Sequence, residues 1–231
     1  MLFPILGIVL VVMIALALRY RYLNKKIDND NDDFYAREKR ANATPKKDIS
    51  NLPYLKIPMD KFPIGEIDDP DITSIEKKLT ELSDKEILNL TGKTNTDLKE
   101  AYGVPNFEKM QQIGENFNEL TVTLVDYASE LMLHNRYDDA IKVLEYGVVI
   151  KTDVSKNYTL LGDCYKYKNQ PRRIATLREQ AENYNGIMRD SILKHLDGLL
   201  SEDNPEDFES QKNVETSSDT NSDTPADTDN N

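Results

Sequence analysis

The chain has 231 residues, 29 Lys and Arg against 41 Asp and Glu, and a formal net charge of −12. Apolar residues make up 39%, below the about 45–50% of globular chains, so part of the chain is not core. Residues 201–231 hold ten acids and one Lys, a net of −9 that leaves residues 1–200 at −3; a basic nucleic-acid-binding face is excluded, and one Cys with two His excludes a disulfide framework and the common zinc sites.

Residues 1–18 carry no charged or strongly polar side chain. As a helix they rise about 27 Å, close to the roughly 30 Å hydrocarbon core, so they are predicted to be a single transmembrane anchor. Arg19, Arg21, Lys25 and Lys26 follow at once, with Tyr20 and Tyr22 as interfacial aromatics. Ala15-Leu16-Ala17 looks like a signal-peptide cleavage site, but a signal peptide carries its charge before the apolar run. Charge after the run predicts a retained anchor with the body in the cytoplasm.

Residues 19–50 are polar and are expected to be a juxtamembrane spacer. The run Asp28 to Asp33 has the alternation of a calcium loop but lacks its Gly and its closing Glu. Four prolines, Pro53, Pro58, Pro63 and Pro70, exclude a regular helix over 51–70. Leu55, Ile57 and Met59 alternate there, as in an extended arm with one buried face. That arm either packs on the following domain or covers a binding groove.

A helical flank is expected over 71–117. Thr73 to Glu76 and Ser83 to Glu86 have capping-box spacing, predicting one helix with Ile72, Ile75, Leu79 and Leu82 and a second over 87–92. A short helix over 96–102 should stop at Gly103. Gly92-Lys93-Thr94 lacks the upstream glycine and the preceding strand of a phosphate-binding loop. Phe107, Met110, Ile113, Phe117, Leu120 and Leu124 then form one helical stripe.

Residues 118–182 repeat at an offset of 34. Leu124, Tyr127, Ala128 and Leu131 recur as Tyr158, Leu161, Gly162 and Tyr165; Asn135 recurs as Asn169, Ala140 as Ile174, Leu144 as Arg178 and Gly147 as Ala181. Each unit reads as two helices and a short turn, with small residues where the two helices of a unit cross. The stretch Asn135-Arg136-Tyr137-Asp138-Asp139-Ala140-Ile141 and the pattern Tyr158-x-x-Leu161-Gly162-x-x-Tyr165 resemble the tetratricopeptide repeat. Thr152 departs from that family's closing proline, and Pro171 with Ile174 makes the second unit's back half atypical. Residues 183–200, with Ile187, Met188, Ile192, Leu196, Leu199 and Leu200, are expected to be a capping helix. Residues 201–231 are expected to be a disordered acidic tail. The predicted fold is therefore all-α: a short helical solenoid with flanking helices, after an anchor and an arm.

The resemblance implies that the inner face of each unit's first helix holds a peptide or partner protein. That face offers Val125, Asp126, Ser129 and Met132 from the first unit, and Lys156, Thr159, Asp163 and Lys166 from the second. Val122 and Tyr167 belong to the same face. Two lysines beside an apolar floor suit a ligand with acidic groups. Cys164, His134, His195 and the pair Asp138-Asp139 read as structural, and no grouping has the spacing of a catalytic or metal site. The expected role is a membrane-anchored scaffold or adaptor at the cytoplasmic face, without catalysis or cofactor. The alternatives are an extracytoplasmic envelope-assembly or chaperone-like factor and, more remotely, an enzyme without a motif. Three Asn-x-Ser/Thr sites, Asn42, Asn89 and Asn157, would matter only in a translocated body.

Overall fold

The structure is a computed structural model, which describes residues 3–184 and 186–201. Among the described residues the chain is helical and has no strand. The expected acidic tail beyond Ser201 lies outside them, as do Met1 and Leu2 at the start of the expected anchor. The chain divides into two compact units, 1–53 with 90–114 and 54–89 with 115–231.

The first unit contains helix α1, Phe3–Asn42, a single run of 40 residues. It does not stop where the apolar sequence stops: the polar spacer is helical up to Asn42. Charged residues from Arg19 onward share the helix with the apolar run, and among the described residues no helix is long and apolar enough to cross a membrane. Leu10, Val11, Met13, Ile14, Leu16 and Leu18 are all at least half exposed.

The end of α1 is held by tertiary partners on α3, Asn95–Tyr102. Arg37 donates to Asp97 at 2.6 Å and to Glu100 at 2.7 Å. Glu38 accepts from the Thr96 hydroxyl at 2.6 Å and from Lys99 at 2.5 Å. Helix α3 begins with a full capping box between Thr94 and Asp97 and ends at Gly103, which has φ +87°. A Cβ at Gly103 would stand 2.1 Å from the Pro45 carbonyl oxygen, so glycine is needed for conformation and space alike.

The second unit begins with the proline-containing stretch, which forms one 3₁₀ turn at Met59–Lys61. It packs on the domain that follows. Phe62 is buried, and Leu55, Ile57, Met59, Ile64 and Ile67 lie against the core. Helix α2, Pro70–Ser83, starts one turn earlier than the Thr73 box suggests, because Asp69 caps it and Pro70 occupies its first position. Glu76 is buried instead, accepting from the Tyr127 hydroxyl at 2.9 Å and from the Gly65 N–H at 2.9 Å. The predicted helix over 87–92 does not form. The segment's backbone finds other partners: the Ile87 carbonyl accepts from the Leu55 N–H at 2.8 Å, and the Glu86 carbonyl from Asn116 at 2.9 Å. Such satisfied groups have no need of helix.

The repeat region is α4, Phe107–Leu133, which contributes residues to both units, then α5, Tyr137–Val149, α6, Ser155–Tyr167, and α7, Pro171–Ala181. The 34-residue offset seen in sequence is also an offset of burial. Leu124 and Tyr158, Tyr127 and Leu161, Ala128 and Gly162, Leu131 and Tyr165, and Ala140 and Ile174 are all buried pairs. Val143 and Leu177 make a further pair that sequence comparison missed. The turns repeat too. Asn135 and Asn169 have φ of 60° and 53°, and each closes its helix by one motif: Arg136 N–H to the Leu131 carbonyl and Gln170 N–H to the Tyr165 carbonyl, both 2.8 Å. A third such end falls at Lys151, where the Thr152 N–H donates to the Gly147 carbonyl at 3.0 Å. A proline at 152 could not make that bond, which accounts for the threonine.

The last helix is α8, Arg189–Ser201, which packs on α6 and α7. It starts later than predicted, leaving Ile187 and Met188 exposed while Ile192 and Leu196 are buried. The small residues also serve contacts other than the expected ones. A Cβ at Gly162 would meet Leu196 and Leu199 of α8, and one at Gly147 would meet Asn157 of α6. Gly147 therefore admits the helix that follows it, and Gly162 the helix after the next, rather than the helix of their own pair.

Candidate protein-interaction surface

The expected inner face is divided by the fold. Val125 is only 3% exposed and belongs to the core. Met132 packs against that core, and the Ser129 hydroxyl donates back to the Val125 carbonyl at 2.7 Å. Asp126 and Lys156 are exposed, while the half-buried Thr159 donates to the Lys156 carbonyl at 3.2 Å. Asp163 meets His195 of α8 at 2.7 Å, and Lys166 donates to the Leu199 carbonyl at 3.1 Å. Those two side chains hold α8 in place. His195, read from sequence as structural, is the partner of Asp163 in that clamp. Among the eight, Asp126 and Lys156 alone are exposed.

A different concavity lies on the outer side, between α5 and α7. It is a cleft of about 390 Å³ floored by Leu161 and Tyr165 of α6. Val148 and Val149 line it from α5, and Thr176, Leu177 and Gln180 from α7. Val149 is three-quarters exposed, an apolar side chain left on the surface at the rim. At one end Arg173 pairs with Glu145, and its guanidinium lies 4.6 Å over the Tyr165 ring. The Tyr165 hydroxyl donates to Glu145 at 2.6 Å. Burial, reinforced by that bond, raises its pKa, so the phenol stays a donor. The arrangement offers an apolar slot with a guanidinium at its mouth, suited to an apolar side chain flanked by an acidic group.

A signal for this site was present in sequence. Glu145, Val148 and Val149 are spaced i, i+3, i+4, and so are Arg173, Thr176 and Leu177. Each set shares one face of its helix, but nothing in a linear pattern says that the two faces meet.

Two further titratable groups, Asp139 and Cys164, lie buried among the packed helices. Asp139 is desolvated by burial, yet bonds from Lys142 and Arg136 outweigh this and hold its carboxyl below the ordinary value. Burial pushes the Cys164 thiol up to about 12, with a smaller contribution from Asp163. Among the described residues no three His, Cys, Asp or Glu side chains are grouped to hold a metal. Of the Asn-x-Ser/Thr sites, Asn157 is wholly buried, Asn89 donates to the Ile150 and Lys151 carbonyls at 3.1 Å each, and Asn42 is exposed. No protein-family model, curated protein or solved structure matches the chain.

Proposed function

We propose that this chain is a membrane-anchored adaptor that binds a protein partner through a pair of tetratricopeptide-like units, with its body at the cytoplasmic face and no catalytic role. The observation that carries the reading is the 34-residue repeat in burial and turn geometry, with a cleft left open between α5 and α7. A preformed surface of this kind binds with little ordering cost. The arm with α2, and α8, cover apolar residues of the repeat pair, supplying the neighbours that two units need. The apolar run of residues 1–18 and the basic residues after it support the anchor and its orientation.

The test is crosslinking and capture from native membranes with the full-length protein, a Val149→Glu/Thr176→Glu chain and an Asp126→Lys/Lys156→Glu chain. All four positions are exposed, so these variants should fold. A band lost only with the first pair makes the outer cleft the recognition surface. Loss with the second pair alone moves recognition to the inner face. Retention by both variants refutes the adaptor reading of these helices. Protease added to intact cells should spare the body; digestion would favour the extracytoplasmic alternative.

A further inference from the structure

Helix α8 runs parallel to α6, since Asp163 meets His195 and, one turn later, Lys166 meets Leu199. The described chain therefore ends at Ser201, on the end of the domain where α6 passes into α7. Lys166, Lys168, Arg172 and Arg173 are all carried by that end. Arg173 also forms the mouth of the outer cleft, through its position over Tyr165. Lys166 and Tyr165 are adjacent in sequence, so the exit of α8 and the mouth of the cleft flank the same turn of α6.

The chain that follows Ser201 begins with Glu202 and Asp203 and continues to Glu206-Asp207-Phe208-Glu209. Phe208 is the one aromatic residue in 202–231, and acids stand on both sides of it. That is the chemistry the cleft suits, an apolar side chain beside a carboxylate. Seven residues from Ser201 to Phe208 extend to about 25 Å, the width of about two helices, so the segment can pass around α6.

We propose that the cleft between α5 and α7 is the docking site of the chain's own segment around Phe208. The ring enters the slot over Leu161 and Leu177, and Asp207 or Glu209 shares the Arg173 guanidinium with Glu145. Its five donors can serve two carboxylates. Tethering gives the segment an effective concentration of about millimolar, so weak contacts suffice. A partner reaching the cleft has to displace this segment, and its apparent affinity is lowered by the occupied fraction. The proposal rests on the reading of this cleft as a recognition surface.

The test places photoreactive benzoyl-phenylalanine at position 208 of the full-length chain in its native membranes and maps the adducts after irradiation. Adducts within one chain on Val148, Val149, Thr176 and Gln180 are expected. Their yield should fall about tenfold when Thr176→Glu or Val149→Glu is introduced, and when salt is raised from about 0.05 to 0.5 M. Adducts scattered over the surface, or on the inner face near Asp126 and Lys156, overturn the proposal. Cleft adducts between two chains overturn it too, in favour of docking by a second copy. Partner capture by the same Thr176→Glu chain separates the two claims. Capture lost while adducts from position 208 are scattered leaves the adaptor reading standing and the tail proposal refuted. Capture unchanged while adducts fall in the cleft leaves the reverse.

Discussion

Gly147 gives the sharpest test of how the two repeat units fit. It is buried in α5, and a Cβ there would lie 2.2 Å from Oδ1, 2.8 Å from Cγ and 3.0 Å from Nδ2 of Asn157. That amide is wholly buried. Its Nδ2 donates to the Leu144 carbonyl at 3.0 Å, while Oδ1 has no partner among the described residues. Gly147→Ala gains ~1 kcal/mol of helix propensity. Against this, the amide must retreat by more than an ångström to reach ordinary contact. Losing its bond to Leu144 costs about 1 kcal/mol, and crowding costs about 1–3 kcal/mol more. The net expectation is a loss of about 1–3 kcal/mol, weighing these costs against propensity. In an Asn157→Ala background the obstructing atoms are gone, and the same substitution should stabilise by up to ~1 kcal/mol. The sign reverses between backgrounds, a coupling of about 2–4 kcal/mol. Urea unfolding followed by far-UV circular dichroism on all four chains reads it directly. An equal effect in both backgrounds would refute the argument that Asn157 is what Gly147 admits.

Further expectations concern other contacts of the second unit. Gly162→Leu drives a side chain into Leu196 and Leu199 of α8 and should cost about 3 kcal/mol; hydrogen exchange should show α8 loosening first, and unchanged α8 protection would contradict it. Cys164 is wholly buried with its thiol pushed up to about 12, so alkylation at pH 8 should proceed only through unfolding. Rapid labelling of the native chain would show that the site opens locally. The depressed carboxyl of Asp139 contributes stability that is present above the unfolded value of 3.8 and lost as pH falls through the lower folded value. Stability should therefore decline below pH 3.8, and Asp139→Asn should flatten that part of the curve; an unaltered acid limb would remove Asp139 from the account.

Local chemistry determined a good part of the molecule. The 34-residue spacing, the asparagines at the turns, Gly103 after α3 and the buried stripe from Met110 to Leu124 follow from helix periodicity and from the few residues that accept positive φ. These depend on near neighbours and can be read along one chain. What depends on distant partners could not. Arg37 and Glu38 meet α3 about sixty residues away, and the helix continues through a polar stretch that composition alone reads as a spacer. The backbone around Ile87 is satisfied by Leu55 and Asn116, so an apolar run with a capping box stays out of helix. Asp163 and Lys166 had the spacing of a ligand-facing surface, but α8 took them as anchors. The outer cleft exists only because α5 and α7 turn two ordinary i, i+3, i+4 sets toward each other over α6. Sequence determined which faces each helix has to bury or expose. Tertiary structure alone decided which faces meet, because burial and hydrogen bonding are satisfied by whatever partner the packed chain brings within reach.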